Sequence, residues 1–202
     1  MDYNEKELII NRSKWTDIMV DLETTSSDTS TGSIIQLSAV MFNLVTGEIG
    51  PVFNRCLAPI TEWDPKTLQW WRSDKNRHQT LLSILHRVEE PSVVINDFIR
   101  WNRTYGAVKH FWSKPSHYDF PMLDKYFRYY GFKNPFIFWK ARDMRSYIFA
   151  LSFPNPLPDL TVVEKELAHD ALVDTMSQVK QLIKCHQEYH QKQTEQKEDI
   201  NV

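Results

Sequence analysis

Residues 18 to 23, Ile18-Met19-Val20-Asp21-Leu22-Glu23, constrain this chain more than any other stretch, because they set two carboxylates into an otherwise apolar run. The apolar members favour a strand, and side chains two apart on a strand leave from the same face. Asp21 and Glu23 therefore point at one place. Charges that close repel, and one carboxyl is driven towards protonation unless a cation lies between them. Hard oxygen ligands with no cysteine nearby select Mg2+ or Mn2+ rather than zinc. Taken alone, such a pair is more often a strand end followed by a solvated loop acid. The rest of the chain shifts that balance.

At 202 residues and 42 % hydrophobic content, the chain can bury one sizeable core. One domain is expected over residues 17–190, after a polar, acidic arm at 1–16 and before a polar tail at 191–202 expected to be disordered. Two cysteines, Cys56 and Cys185, and no apolar export signal suggest a reducing, cytoplasmic setting without a disulfide framework. No apolar run of about 18 residues exists, so no membrane span is expected.

The net charge of −2 hides an asymmetry. Residues 66–145 hold 15 Lys+Arg against 7 Asp+Glu, a net of +8, which leaves −10 for the remainder. A basic middle that holds phosphates between acidic ends that hold metal would produce this pattern. For any single basic residue, a solvated helix face is the ordinary explanation.

Strand signals run from Ile18 to Leu22, Ile34 to Phe42 and Pro51 to Leu57, the last two joined through Thr46-Gly47-Glu48 as an antiparallel hairpin. Asp64-Pro65 reads as a cap and first helical residue for a helix through Trp71. Helices follow at Gln79 to Val88 and Ser92 to Tyr105, then a short strand at Ala107 to Trp112. Asp119 to Tyr130 forms a helix stopped by Gly131, Ile137 to Ala141 a last strand, and Ser146 to Leu151 a helical turn before a proline-rich loop. From His169 to about Tyr189 the apolar residues recur at helical spacing. The expected fold is a mixed α/β sheet with an initial antiparallel hairpin and helices on its faces.

His169 and Asp174 are five apart, about 140° around an ideal helix, and converge only if His169 precedes the helix proper. Asp170, four before Asp174, shares its face and is a rival ligand. A favourable first-turn charge is its simpler role. Asp119 lies just past a strand at a helix opening, where open α/β sheets bind ligands. His117 is expected to face solvent.

Asp21 and Glu23, then Asp119, then His169 and Asp174 occur in the order and spacing of the DEDDh branch of the DnaQ-like 3′–5′ exonucleases, which have the ribonuclease H-like fold. Leu68-Gln69-Trp70-Trp71, Trp112 through Asp119-Phe120-Pro121, Phe138-Trp139-Lys140-Ala141-Arg142-Asp143 and Ala168-His169-Asp170 more closely resemble the phage exonuclease A group and its exonuclease-VIII-like relatives. The resemblance implies Asp21, Glu23, Asp119 and Asp174 as ligands of two Mg2+ or Mn2+ ions and His169 as general base. It further implies single-stranded nucleic acid as substrate, DNA favoured over RNA, released as nucleoside 5′-monophosphates. Leu22, Thr24, Trp70, Trp71 and Arg142 are the residues expected at the substrate. Trp63 and Trp139 are further candidates for stacking bases, against a plain role in the core. Exonuclease action on RNA ends and a catalytically silent nucleic-acid binding module are the alternatives. The sequence leaves the oligomeric state open, a homodimer among the options.

Overall fold

The computed structural model describes residues 14–105, 110–153 and 169–200. Six strands form one sheet: β1 (Asp17–Thr24), β2 (Ile34–Phe42), β3 (Ile49–Leu57), β4 (Val88–Glu89), β5 (His110–Ser113) and β6 (Ala141–Asp143), in the order β4-β3-β2-β1-β5-β6. β1, β2 and β3 are antiparallel neighbours, whereas β5 runs parallel to β1, and β6 parallel to β5. All nine residues of β2 are buried, as befits a central strand covered on both faces. The expected mixed α/β sheet with an opening hairpin is the fold observed. Gly47, at φ +78°, turns that hairpin, and its N–H donates to the Asn43 carbonyl at 2.9 Å.

The helices are α1 (Pro65–Arg72), α2 (Lys75–His86), α3 (Pro91–Thr104), α4 (Ser116–Tyr129), α5 (Met144–Ser152) and α6 (Ala171–Ile200). Strand parity sorts β1 between two cores. Ile18, Val20 and Leu22 face a cluster with Val94, Phe98, Met122 and Tyr126 from α3 and α4. Met19 faces the other way, against Ile148 of α5 and Val179 and Leu182 of α6. Asp21 and Glu23 share the Met19 face by the same parity. A third cluster joins Ile35 and Cys56 to Trp71, Leu81 and Ile84 of α1 and α2.

Three expectations about elements change. Ile137 to Ala141 is not a strand: Phe138–Lys140 is a short 3-10 helix, and β6 begins only at Ala141, opposite Phe111 of β5. A strand forms where a partner exists, and the pairing runs over Ala141–Asp143 alone. Val88 leaves its helix to pair with Cys56 in β4. The last helix runs through Ile200, past the end expected near Tyr189 and into the stretch expected to be disordered. Ala107 to Lys109 of the expected fourth strand, most of the leading arm and the proline-rich loop lie outside the described residues. Cys56 and Cys185 are both free, and no helix among the described residues is long and apolar enough to cross a membrane.

Candidate active site

β1 and β5 pair only as far as Met19 and Trp112. Beyond that point β1 runs on without β5, and the Leu22 N–H is free to donate to the carboxylate of Asp119. Asp119 sits in the first turn of α4 and is only 3 % exposed. Glu23 is buried and Asp21 half-buried, paired with Gln36 and Ser38 of β2 respectively. Three acids on two elements thus meet at the end of β1.

The fourth acid and the histidine come from the start of α6. Asp170 caps that helix, its Oδ1 accepting the N–H groups of Leu172 and Val173 at 3.0 and 3.4 Å. Gln36 holds the same turn from β2: its Oε1 accepts the Ala171 N–H at 3.1 Å, and its Nε2 donates to Asp170 at 3.3 Å. His169 lies before the helix at φ +70°, an uncommon conformation for a residue other than glycine. From there its N–H donates to Asp174 Oδ2 at 3.0 Å. One ligand atom each from Glu23, His169 and Asp174 lie within 4.8 Å of one another. The turn at His169 removes the 140° offset that a continuous helix would impose.

The electrostatics follow from crowding acids away from water. Burial first, then the Asp174 charge, push Asp21 up to about 7 against a hydrogen bond from Gln178 and the attraction of Lys114. Burial and neighbouring carboxylates hold Glu23 and Asp119 well above the ordinary carboxylate range. Asp174 is also raised, by burial, although the His169 N–H and imidazole oppose the shift. Burial lowers His169, which favours the neutral, proton-accepting imidazole.

This donor set fits a divalent cation. Four carboxylates face one another, and Lys114 only partly relieves Asp21 and Asp174. Beside Asp21, the buried Ser38 Oγ and Gln178 Oε1 have no hydrogen-bond partner, although Gln178 Nε2 donates to Asp21 at 2.8 Å. A hydrated ion would satisfy such atoms. The donors are hard oxygens, and both cysteines lie in other clusters.

A cleft of about 560 Å³ opens in front of Glu23, lined among others by Leu22, Thr24, Lys66, Trp70, Trp71 and Tyr118. Trp70 is 39 % exposed, its ring centroid 4.7 Å from that of His169 in an edge-to-face contact. Arg77 lies over the Trp70 ring at 4.3 Å. Thr24 Oγ1 bonds Tyr118 Oη and donates to the Ser26 carbonyl at 3.0 Å.

Of the residues expected at the substrate, Leu22, Thr24 and Trp70 line the cleft. Trp71 does not offer a face to a base: it is 1 % exposed and packed among Ile35, Leu81 and Ile84, with its Nε1 turned to the Thr24 carbonyl. Arg142 is on the edge strand β6, away from the cleft lining, and its Nη1 donates to the carbonyls of Trp139 and Ala141 at 2.8 and 2.9 Å. His117 is exposed. Asp170 proves to be a helix cap.

Sequence reasoning missed Gln36, Gln178, Tyr118 and Lys66. A glutamine inside the apolar run Ile34-Ile35-Gln36-Leu37 was the available signal for the first, since a buried amide needs partners. Gln178, four residues after Asp174, shares its helix face.

A mixed sheet of this kind, with acids gathered at the end of its central strand, is the fold of nucleases of known structure, one of them a DEDDh family member. The fold recurs in E. coli exonuclease I in complex with a dA16 oligonucleotide, at TM-score 0.62 and 14 % identity over 85 % of this chain and 41 % of that one. This chain thus spans about two fifths of that enzyme's length. It recurs also in the nuclease domain of 3′hExo, a DEDDh family member, bound to rAMP, at TM-score 0.59 and 16 % identity over 87 % and 94 % of the two chains. Cell-death related nuclease 4 gives TM-score 0.58 and 17 % identity over 85 % and 64 %. Residues 16–186 match the 3′–5′ exoribonuclease Rv2179c-like domain, and the chain belongs to that family. No curated protein matches it.

Proposed function

We propose that the protein shortens single-stranded RNA from its 3′ end, one nucleoside 5′-monophosphate at a time. Asp21, Glu23, Asp119 and Asp174 are the residues that would hold Mg2+ or Mn2+, as two ions. The observation that carries this reading is the convergence of Glu23, His169 and Asp174 within 4.8 Å beside the half-buried Asp21 and the buried Asp119. Bound divalent ions would supply charge stabilisation at the phosphoryl and leaving oxygens. His169, kept neutral by burial, accepts the proton of the attacking water. The water oxygen bonds to the terminal phosphorus, the P–O3′ bond breaks, and the 3′-oxygen leaves with a proton from solvent. Trp70 and Lys66 line the cleft where a terminal base and a phosphate would lie.

RNA is preferred because the family is described as exoribonuclease and because 3′hExo, matched over 94 % of its chain, was bound to rAMP. DNA is the second reading. It draws support from the likeness of the sequence motifs to the phage exonuclease A group and from the dA16 complex of exonuclease I. Matched 5′-labelled RNA and DNA oligonucleotides, incubated with Mg2+, Mn2+ or chelator, separate the two. The expected result is a one-nucleotide ladder on RNA that outpaces DNA, vanishes with chelator and fails on a 3′-phosphorylated strand. A faster ladder on DNA would reverse the substrate assignment, and activity in chelator would sink the metal mechanism.

A further inference from the structure

Helix α4 cannot cap its own N-terminus. It opens at Ser116 after Pro115, whose carbonyl accepts the Tyr118 N–H at 3.2 Å but which offers no side-chain cap. Asp143, the last residue of β6, replaces that cap from a distant part of the chain. Its Oδ2 accepts the Ser116 N–H at 2.9 Å. Its Oδ1 accepts the Ser146 N–H and Oγ–H at 2.8 and 2.9 Å and so caps α5 as well. One carboxylate ties two helix N-termini to the sheet, where Asp143 pairs with Ser113 of β5. Burial opposes the charge, yet the donors from Ser146 and Ser116 outweigh it and hold the carboxyl below its ordinary range.

The helix held at Ser116 carries Asp119 in the same turn. That carboxylate is 3 % exposed and meets the Leu22 N–H and the Asp21 charge, so a shift of α4 changes its reach directly. Small divalent ions tolerate little error in ligand placement. We propose that Asp143 is a positioning residue of the exonuclease site, which sets α4 and thereby places the Asp119 carboxylate against Asp21. The inference rests on the metal-binding role proposed above for Asp119. Asp143 touches neither substrate nor metal in this scheme.

An asparagine keeps the shape but offers one acceptor oxygen, and its amide would face the other helix's N–H. Asp143→Asn should therefore weaken Mn2+ binding, measured by titration calorimetry without substrate, about tenfold or more, the usual consequence of losing an outer-shell partner. Its kcat should fall at low metal and recover in part at high metal, with KM for the oligonucleotide unchanged. Ser116→Pro removes only the α4 donor, at a helix position proline tolerates, and should weaken Mn2+ binding likewise while leaving the α5 cap intact. Glu90→Ala serves as control: Glu90 caps α3, which carries none of the site residues, through the Ser92 N–H at 3.2 Å. It should lower the melting temperature without changing Mn2+ affinity. Wild-type Mn2+ affinity in folded Asp143→Asn or Ser116→Pro would overturn the inference and leave Asp143 an ordinary cap. If the unaltered chain bound no Mn2+, the metal reading and this inference would fall together, a result distinct from loss in the variants alone.

Discussion

His169 illustrates how one backbone torsion assembles a site. At φ +70° it stands outside α6, so its N–H reaches Asp174 while its ring packs edge-to-face on Trp70. Such a conformation costs about 1–3 kcal/mol for a residue other than glycine, and the surrounding contacts must offset it. Asp170, next in sequence, spends its Oδ1 on the cap and its Oδ2 on Gln36, which leaves it poorly placed as a metal ligand. His169→Ala should lower kcat by about 10²–10⁴-fold, the usual range for a lost general base, and leave metal affinity near the wild-type value. Single-turnover kinetics read the first effect and titration calorimetry the second. Vanished metal binding would make His169 a ligand instead. The need for His169 to precede the helix was legible from the five-residue spacing. Its left-handed torsion was not, because nothing local in Ala168-His169-Asp170 demands it.

At the scale of elements, the site depends on a strand and a helix held in fixed relation. β2 contributes no catalytic side chain, yet Gln36 bridges it to the first turn of α6 with both ends of its amide, and bonds Asn54 of β3 at 3.1 Å. Gln36→Leu keeps the volume but leaves the Ala171 N–H unpaired, a loss of about 1–3 kcal/mol for a buried donor. In a domain of this size that is a drop of about 2–4 °C in melting temperature per kcal/mol. Because the same turn aims His169 and Asp174, kcat should fall further than stability explains. Activity assayed well below the melting transition tests this, and full activity there would reduce Gln36 to a purely structural role. The elements themselves were largely readable from periodicity and caps, as with Asp64 and Pro65 at the start of α1. The stretch around Phe138 and Trp139 misled, since its apolar residues suggest a strand while only Ala141–Asp143 finds a partner in β5.

Across the whole molecule, burying acids together makes the metal-free protein sensitive to pH. Asp21 rises from 3.8 in the unfolded chain to about 7 in the folded one. A raised carboxyl binds its proton more tightly when folded, so its contribution to stability is fullest below about pH 4 and is lost as pH rises towards 7. In chelator, Asp21→Asn should therefore raise the melting temperature more at pH 8 than at pH 5, and the variant should gain little when Mg2+ is restored. Equal gains at both pH values would refute the electrostatic account. What the sequence by itself determined is direction: strand parity turns Asp21 and Glu23 to one face, and helical spacing turns Asp174 and Gln178 to another. The tertiary structure alone decided distance and exposure. It brings α4 and α6 to the end of β1, buries Trp71 beside a half-open Trp70, and turns Arg142 onto the carbonyls of Trp139 and Ala141. The reason is that local spacing orients a side chain relative to its own backbone, while separation and access to water depend on pairings between residues far apart in the chain.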